Sequence, residues 1–330
     1  MPDSKPSVLI TGANGFVGAR LCRLFLDEGC RVIAGVRKTA NLSQLEKLDV
    51  EYRYGDVTRP ETLPEMVSGV DYIVHNAGVV KAKRERTFFE VNEKGTRSLM
   101  EAIAQHNPLV KRVVYISSLA AFGPSQIGHP LTEDAPPQPL TAYGRSKLKG
   151  EQVALSFADR FNVVAVRPPG VYGPGDREIL AFFQTVNNRI KPYIGNTGRM
   201  LQLVHVDDLC RGIYLAAIGG AATGEAYFIA EKNGYTMKQL IAMLEAAGGK
   251  KAFPLIIPGP LFRAIALISE TVFKAVGATP MLTREKANEL LASWEVSTEK
   301  ARRELGYESR ITFEQGARET YAWYKQEGWL

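Results

Sequence analysis

The chain has 330 residues, of which 45% are hydrophobic and 23% charged, and 41 basic against 35 acidic residues give it a net charge of +6. These proportions describe a folded globular protein with room for one main domain and a smaller appended one, and they exclude a disordered chain. The basic residues are dispersed along the chain, so no nucleic-acid partner is expected.

Nothing in the sequence predicts export or a membrane span. The first residues, MPDSKPSVLITG, pass from a few polar side chains directly into an apolar run, without the leader expected of a signal peptide. The most apolar later segment, residues 252–276, contains three prolines, a glycine and three charged residues, which makes it a poor membrane span. The cysteines form no CxxC pair, so buried thiols in a reducing cytoplasm are expected at Cys22, Cys30 and Cys210.

Short runs of β-branched residues alternate with helical patterns through the first half of the chain. The predicted strands are residues 7–11, 31–36, 50–55, 71–77, 112–118 and 162–168, with one further strand at 226–230. The predicted helices are residues 17–28, 42–48, 61–68, 85–105 and 142–159. Strand followed by helix, repeated, indicates an α/β fold with a parallel sheet covered by helices on both faces. Such sheets bind ligands outside the carboxyl ends of their strands.

A glycine-rich turn follows the first predicted strand, in the sequence VLITGANGFVG. Gly12 suits a tight turn, Gly15 lets a pyrophosphate approach the backbone, and Gly18 lets the next helix pack closely on the strand. The start of that helix presents free N–H groups to phosphates. The pattern predicts a doubly wound Rossmann sheet that binds a dinucleotide. The same turn supplies further predicted cofactor-binding residues: Asn14, Phe16 and Val17.

The residues after the second strand indicate which dinucleotide binds. At this position an acidic side chain bonds the ribose 2′-hydroxyl of NAD, whereas a basic one pairs with the 2′-phosphate of NADP. Arg37 and Lys38 are basic, so NADP is favoured, with NAD as the alternative. The turns after the next two strands are predicted to complete the site, with Asp56 and Val57 at the adenine and Asn76, Ala77 and Gly78 beside the diphosphate.

Two Tyr-x-x-x-Lys spacings compete as catalytic candidates. The segment TAYGRSKLKGE places Tyr143 and Lys147 on one face of a predicted helix, and Tyr321 and Lys325 repeat the spacing near the end of the chain. The first pair follows a strand that ends in two serines, whereas the second falls in a tryptophan-containing helix that is expected to pack on the core. A neighbouring ammonium is expected to lower the pKa of Tyr143 from about 10 toward neutrality.

Eight motifs in chain order resemble the extended branch of the short-chain dehydrogenase/reductase superfamily, the NAD(P)-dependent epimerase/dehydratase family. They are TGANGFVG, GDVT, HNAG, VNEKGT, YISSLAAFG, YGRSK, RPPGVYGPGD and VHVDDL. The resemblance implies that Tyr143 is the catalytic acid/base, Lys147 its partner and Ser118 the hydroxyl that holds the substrate oxygen. Asn92 matches a further catalytic position. Cofactor contacts are predicted for Tyr143, Lys147, Ile116, Pro168, Gly170 and Val171, together with a homodimer and no metal.

The alternation of strands and helices breaks after Pro168 into Gly- and Pro-rich loops and isolated helices. A smaller, mostly helical substrate-binding cap is therefore predicted beside the sheet. The predicted division is a dinucleotide-binding domain at 1–170 with 203–230 returning to it, a cap at 171–202 and 231–310, and a C-terminal helix at 311–330. The apolar segment 252–262 of the cap is expected either to line a lipophilic pocket or to pack the cap against the sheet.

Departures from the sugar-nucleotide members of the family bear on the substrate. The dehydratases carry an Asp-Glu pair just after the catalytic hydroxyl, where this chain has a leucine and an alanine. Sugar-nucleotide enzymes often have asparagine at the position of Gly170 and arginine at that of Leu201, and both usually help hold the diphosphate. Arg199 and Lys191 lie nearby and offer substitutes.

Taken together, these departures, the basic residues after the second strand and the motif RPPGVYGPGD resemble the dihydroflavonol reductase and 3β-hydroxysteroid dehydrogenase groups. The first hypothesis is a cytoplasmic NADP-dependent oxidoreductase that transfers a hydride between nicotinamide and a carbonyl or secondary alcohol of a fairly apolar small molecule. Tyr143 would move the proton. The alternatives are a nucleotide-sugar epimerase that holds NAD(P) tightly and a non-catalytic protein that senses NADP(H).

Overall fold

The structure is a computed structural model and describes residues 5–275 and 282–330. The strands over these residues are β1 Ser7–Thr11, β2 Arg31–Val36, β3 Glu51–Tyr54, β4 Tyr72–His75, β5 Arg112–Ile116, β6 Val163–Arg167, β7 Gly170–Tyr172, β8 Ile190–Ile194, β9 Met200–Leu201, β10 Leu203–His205, β11 Ala226–Phe228, β12 Tyr235–Thr236 and β13 Phe253–Ile257. The helices are α1 Phe16–Asp27, α2 Leu63–Val67, α3 Glu85–Phe89, α4 Thr96–His106, α5 Ala142–Leu155, α6 Leu180–Asn187, α7 Val206–Ile218, α8 Met237–Gly248, α9 Gly259–Ala275, α10 Arg284–Leu291, α11 Glu299–Leu305 and α12 Phe313–Gln326.

Seven strands form one parallel sheet in the order β11, β6, β5, β4, β1, β2, β3. The chain builds outward from β1 in one direction through β3 and then returns to add β4 on the other side of β1. Val8 accordingly lies opposite Val32 of β2 and opposite Tyr72 of β4. The predicted doubly wound α/β fold is confirmed, and this reversal of strand order creates the crevice in which such folds bind ligands.

The sheet is buried on both faces, which explains the near-continuous apolar runs of its inner strands. On one face α1 and α7 contribute Phe25 and Ile213 to an apolar cluster with the strands. On the other face Met66 of α2, Leu99 of α4 and Val153 of α5 belong to a second cluster. The two helical layers hold the carboxyl ends of the strands in a fixed arrangement.

One predicted helix is wrong. Residues 42–48 form consecutive tight turns, in which the N–H of Leu45 bonds to the carbonyl of Leu42 at 2.7 Å and that of Leu48 to Leu45 at 2.9 Å. Within this segment Leu45 alone is fully buried. A segment this short with one buried anchor lacks the tertiary packing that sustains short helices.

The long helix predicted at 85–105 is interrupted. Between α3 and α4 residues Glu90–Gly95 form a π-helical turn. A Cβ at Gly95 would lie 2.7 Å from Cγ2 of Val57, so the wider turn brings this glycine against the loop after β3. The helix predicted at 142–159 also ends earlier, at Leu155.

The C-terminal half adds small sheets and helices beside the main sheet. β8 pairs with β13 in parallel, and β9 pairs with β12 in the antiparallel direction. Helix α12 packs against α8, and Tyr321 lies in that apolar cluster with its hydroxyl donating to Oδ1 of Asn187 at 2.6 Å. The expectation that the second Tyr-x-x-x-Lys pair belongs to a packed terminal helix is confirmed, while the division into domains stays a prediction.

Both expectations for the apolar segment 252–262 are wrong for most of its length. Phe253, Leu255, Ile256 and Leu261 are exposed, and no residue of the segment lines the main cleft. Across the described ranges no helix has the length and apolar character needed to cross a membrane. The cysteines are free and buried, as expected.

Candidate active site

The turn between β1 and α1 has the backbone geometry that a dinucleotide requires. Gly12 has a φ of +65°, which residues with a Cβ rarely adopt. A Cβ at Gly18 would lie 2.2 Å from the Gly12 carbonyl oxygen, so only glycine allows α1 to pack this closely. Gly15, the residue before α1, has no side chain to cap the helix, and the first turn of α1 has no acidic residue. The N–H groups at the start of α1 are therefore available to a phosphate. The residues present therefore fit the pyrophosphate of a dinucleotide.

A single cleft of about 2610 Å³ runs from this turn past the ends of the strands to the C-terminal half of the chain. Predicted site residues from distant parts of the sequence line it together. They are Gly12, Asn14, Gly15, Phe16, Val17, Arg37, Asp56, Val57, Asn76, Ala77, Gly78, Ile116, Ser118, Tyr143, Lys147, Pro168, Gly170 and Val171.

Three predicted site residues do not line this cleft: Gly18, Lys38 and Asn92. Gly18 packs against the backbone of the glycine turn, and the side chain of Lys38 is exposed. Asn92 is buried and bonds the backbone of Val79 in both directions, at 2.9 and 3.0 Å, and donates to Oγ of Ser146 at 3.0 Å. These contacts tie the loop after β4 to α5, so the Asn92 side chain positions other groups and does not itself face the cleft.

The start of α5 is fixed against the turn that follows β5. Oγ1 of Thr141 accepts the N–H of Gly144 at 3.1 Å and caps the helix. A Cβ at Gly144 would lie 2.3 Å from the Ala120 carbonyl oxygen, so glycine permits the close approach. Oγ of Ser118 accepts the N–H of Ala120 at 3.2 Å in the same turn. This packing brings Tyr143, the second residue of α5, next to Ser118.

Tyr143 and Ser118 both line the cleft, and their side chains lie close enough for the Ser118 hydroxyl to affect the pKa of the phenol. The ring of Phe88 lies edge-on to that of Tyr143, with the two centroids 6.1 Å apart. Burial raises the pKa of Tyr143 above its usual value, and the nearby Ser118 hydroxyl opposes that change. The carboxylates of Glu289 and Glu178 raise the pKa of Tyr143 further. The phenol is therefore protonated at neutral pH and suited to donate a proton.

Lys147 is buried one turn along α5 from Tyr143. Its Nζ donates to the carbonyl of Ile116 at 2.5 Å and lies 4.4 Å from the centroid of the Tyr115 ring. Burial lowers the pKa of Lys147 to about 7, against the opposing effect of the Glu151 carboxylate. The net lowering of the Tyr143 pKa expected from the sequence is wrong for this structure, because burial of the phenol outweighs the effects that lower its pKa. Within the described ranges no hydrogen bond joins the two side chains.

A buried ion pair lies behind α5. Arg167, the last residue of β6, donates to Glu151 of α5 through Nε at 3.0 and 3.2 Å and through Nη2 at 2.6 Å. The Arg167 guanidinium also stacks 3.8 Å from the centroid of the Phe122 ring. This pair was not predicted from the sequence. The feature that could have indicated it is Glu151, an acidic residue one turn after Lys147 on the same helix.

Arg37 lies at the cofactor end of the cleft, directly after β2. Its side chain is exposed and forms no ion pair with any residue of the described ranges. The Asp56 carboxylate, which also lines this end of the cleft, does not pair with Arg37 and accepts both the N–H and the hydroxyl of Thr58, at 2.9 and 2.8 Å. Nδ2 of Asn76 donates to the Gly12 carbonyl at 3.4 Å. The end of β2 therefore presents an unneutralised cation to the cleft.

The far wall of the cleft combines apolar side chains with charged ones, among them Asp176, Glu178, Arg284, Glu285 and Lys286. The apolar side chains that line it there are Ile179, Phe182, Leu201, Leu203, Met237, Leu240 and Trp294. Arg199 also lines the cleft, donates to the carbonyls of Ile194 and Asn196, and has no carboxylate partner in the described part of the chain. Lys191 does not line it and pairs with Glu245 at 2.9 Å. Of the two cations considered from the sequence, only Arg199 remains available to a ligand.

Similar proteins match this chain over almost its whole length. A ceramide reductase of Caulobacter vibrioides is 30% identical over 99% of this chain and 97% of its own length. A 3-beta-hydroxysteroid dehydrogenase of Mycolicibacterium neoaurum is 28% identical over 96% of this chain and 91% of its own. The crystal structure of DesIV, a dTDP-glucose 4,6-dehydratase from Streptomyces venezuelae with NAD and TYD bound, superposes with a TM-score of 0.78 at 25% identity, covering 98% of each chain.

The family match agrees with the fold and with the glycine turn. The NAD dependent epimerase/dehydratase family matches residues 8–230, which include all of the parallel sheet except Ser7. Relatives that act on steroids and structures that bind nucleotide sugars both occur among the similar proteins, so family membership alone does not select a substrate. The chain belongs to the NAD dependent epimerase/dehydratase family, in the extended branch of the short-chain dehydrogenase/reductase superfamily.

Proposed function

We propose that this protein uses NADPH to reduce a carbonyl group of an apolar substrate, with Tyr143 as the proton donor. The observation that carries the proposal is the placement of Tyr143, Ser118 and Lys147 together in the cleft that the glycine turn also lines. The protonated state of Tyr143 suits the reductive direction, since a carbonyl must gain a proton as it becomes an alcohol.

The bound nicotinamide would supply the hydride that the carbonyl carbon receives. Ser118 and Tyr143 each donate a hydrogen bond to the carbonyl oxygen and polarise it. As negative charge develops on that oxygen, Tyr143 transfers its proton, so ketone, hydride and proton together give a secondary alcohol. The Lys147 ammonium then stabilises the phenolate that remains on Tyr143, and it is also proposed to bind the nicotinamide ribose.

Reduction is expected to slow as the pH rises through about 7. Burial sets the pKa of Lys147 at about 7, so the cation that stabilises the Tyr143 phenolate is lost above this value. The folded protein should become more stable over the same range, because unfolding at alkaline pH requires Lys147 to take up a proton until about pH 10.4. Measuring kcat/KM and the free energy of unfolding against pH checks both directions, and a parallel fall of the two would contradict this assignment.

The NADP preference is proposed to depend on Arg37. Arg37→Asp removes the cation that pairs with a 2′-phosphate and adds an acceptor for a ribose hydroxyl, so the ratio of NADPH to NADH affinity should fall about 10- to 100-fold. Lys38→Asp is the matched control, because Lys38 lies outside the cleft and should change the ratio much less. Titration of both nucleotides by fluorescence measures the ratio, and an unchanged value for Arg37→Asp would make the interpretation of this residue wrong.

An apolar substrate is supported by the cleft wall and by the turn after Ser118. Leu119 and Ala120 stand where the resembling dehydratases carry acids, so elimination of water has no acid/base pair here. The ceramide reductase and the 3-beta-hydroxysteroid dehydrogenase are relatives whose names also indicate lipid substrates. Incubation with NADPH and either a 3-oxosteroid or a UDP-sugar tests the proposal, which expects NADPH oxidation with the first only.

A nucleotide-sugar epimerase is the second candidate, favoured by Arg199. This arginine lines the cleft without a carboxylate partner among the described residues and could bind a sugar diphosphate. An epimerase would retain its nucleotide through purification and show no net oxidation of NADPH. Nucleotide extracted from the purified protein by heat therefore separates the two functions.

A homodimer and a cytoplasmic location are further proposals that come from the resemblance and from the cysteines. Light scattering during gel filtration measures the mass of the assembly. A mass of one chain, about 36.3 kDa, would make the dimer prediction wrong.

A further inference from the structure

β13 and α9 expose a concentration of large apolar side chains, here called the cap face. Nine of the fifteen exposed large hydrophobic side chains of the described residues belong to it: Phe253, Leu255, Ile256, Leu261, Ile265, Leu267, Ile268, Val272 and Phe273. Phe253, Ile256 and Ile268 are 73%, 71% and 63% exposed. Surfaces of this kind mark interaction sites for proteins or membranes, because isolated monomers rarely leave such patches in water.

The apolar surface of α9 is broader than its packing against the other described residues explains. Phe262 and Ala266 face inward and pack with Ala287 of α10. Leu261, Ile265, Ile268 and Val272 follow a spacing of four, three and four residues, so they form one stripe along the helix. This stripe is exposed, and the helix presents apolar residues on its outer side as well as its inner one.

The charges around the cap face favour an anionic partner. Lys250 and Lys251 precede β13, Arg263 lies within α9, and all three are exposed without an ion pair in the described ranges. Glu270 is the one acidic residue between 250 and 273, and it pairs with Arg284 at 3.3 Å. Apolar side chains combined with basic ones are the composition of surfaces that bind anionic lipid.

A second copy of the chain fits this surface less well. β13 is the edge of a two-stranded sheet, and an edge strand can pair with another chain. Pro254, the second residue of that strand, has no N–H to donate, which disfavours extension of the sheet. The unpaired lysines beside the strand would also repel their counterparts across a symmetric contact.

We propose that the cap face docks on the surface of an anionic lipid bilayer. The apolar side chains enter the boundary between headgroups and acyl chains, and Lys250 and Lys251 meet lipid phosphates. Arg263 bonds Asn288 at the groove beside α10 and adds to the positive charge near the bilayer. A groove of about 250 Å³ between α9 and α10 shares Arg284 and Asn288 with the main cleft, so the cleft opens beside the docked surface. Entry of substrate from the lipid along this groove rests on the proposed function, whereas the docking itself does not.

Sedimentation with lipid vesicles tests the docking on the full chain, without any need for activity. Vesicles of phosphatidylcholine are compared with vesicles that also contain phosphatidylglycerol. Binding to the anionic vesicles should be about 100-fold tighter, since each lysine or arginine contributes separately near an anionic surface, and added salt should reduce the difference.

Three variants separate the apolar from the electrostatic contribution. Phe253→Ser with Ile268→Ser should weaken binding to both kinds of vesicle at least tenfold. Lys250→Gln with Lys251→Gln should reduce the preference for anionic lipid and leave neutral binding unchanged. Leu109→Ser is the matched control, because Leu109 is 90% exposed in the turn after α4, outside the cap face, and should have no effect.

Two results would overturn the proposal. One is the absence of binding to anionic vesicles by the folded wild-type chain. The other is a stable dimer that the Phe253→Ser and Ile268→Ser pair disperses while vesicle binding is unaffected, which would assign the cap face to a second copy. Both readouts are independent of NADPH oxidation, so failure of the docking and failure of the proposed reaction are distinguishable.

Discussion

Tyr143→Phe is expected to lower kcat for carbonyl reduction about 100- to 10,000-fold, because the variant keeps the ring and loses the proton that the product oxygen requires. The KM should change little, since Ser118 still donates a hydrogen bond to the carbonyl. Affinity for NADPH should also be retained. Stopped-flow measurement of NADPH oxidation in a single turnover checks the chemical step directly.

Tyr321→Phe is the matched control for this substitution. Tyr321 has the same spacing to a lysine but lies in the apolar cluster between α8 and α12. Its loss should affect stability by about 1 kcal/mol through the hydrogen bond to Asn187 and leave kcat unchanged. If Tyr143→Phe retained full activity, or retained a biological function that Arg37→Asp abolished, a protein that senses NADP(H) would be the better explanation.

Arg167→Met is expected to lower the free energy of unfolding by about 3–5 kcal/mol, because it leaves the Glu151 carboxylate buried without its partner. The side chains of Arg167 and Glu151 are only 7% and 4% exposed, and their shortest contact is 2.6 Å. Urea denaturation followed by tryptophan fluorescence and circular dichroism measures the change.

An exposed ion pair supplies the control for the buried one. Arg302 and Glu299 lie 2.8 Å apart with their side chains mostly in solvent, so Arg302→Met should change stability by less than about 1 kcal/mol. Adding Glu151→Gln to Arg167→Met should recover part of the stability, since the buried charge is then removed. Equal effects of the two arginine substitutions would show that the buried pair has no special structural role.

The sheet was predictable from the sequence because its strands carry their own signal. Strands such as β1 and β6 are buried on both faces, and they read as continuous apolar runs between turns. The glycine turn was predictable because a phosphate site restricts both residue type and spacing. The helix predicted at 42–48 was wrong because the local residue pattern is helical, while only Leu45 of this segment packs into the core of the described residues.

Contacts within the candidate site join residues that are far apart in the sequence, so the sequence pattern alone does not predict them. The sequence motif identifies Tyr143 and Lys147, and it predicts a lowered pKa for the tyrosine. In the structure burial raises the pKa of Tyr143 and lowers that of Lys147, whose Nζ donates to the Ile116 carbonyl. Asn92 matches a motif, yet the π-helical turn directs its side chain to the Val79 backbone. Arg199 and Lys191 are both basic residues of the predicted cap, and only the tertiary fold shows that Arg199 lines the cleft and Lys191 does not.

The most direct test of the proposed reaction follows the hydrogen itself. NADPH with deuterium at both positions of nicotinamide C4 is incubated with the protein and a 3-oxosteroid, and the product is analysed by mass spectrometry. The proposal predicts a secondary alcohol with one deuterium on the carbinol carbon for each NADPH oxidised, and none with Tyr143→Phe on the same timescale. Turnover of a nucleotide sugar without oxidation of the labelled NADPH, and with no labelled alcohol, would contradict it.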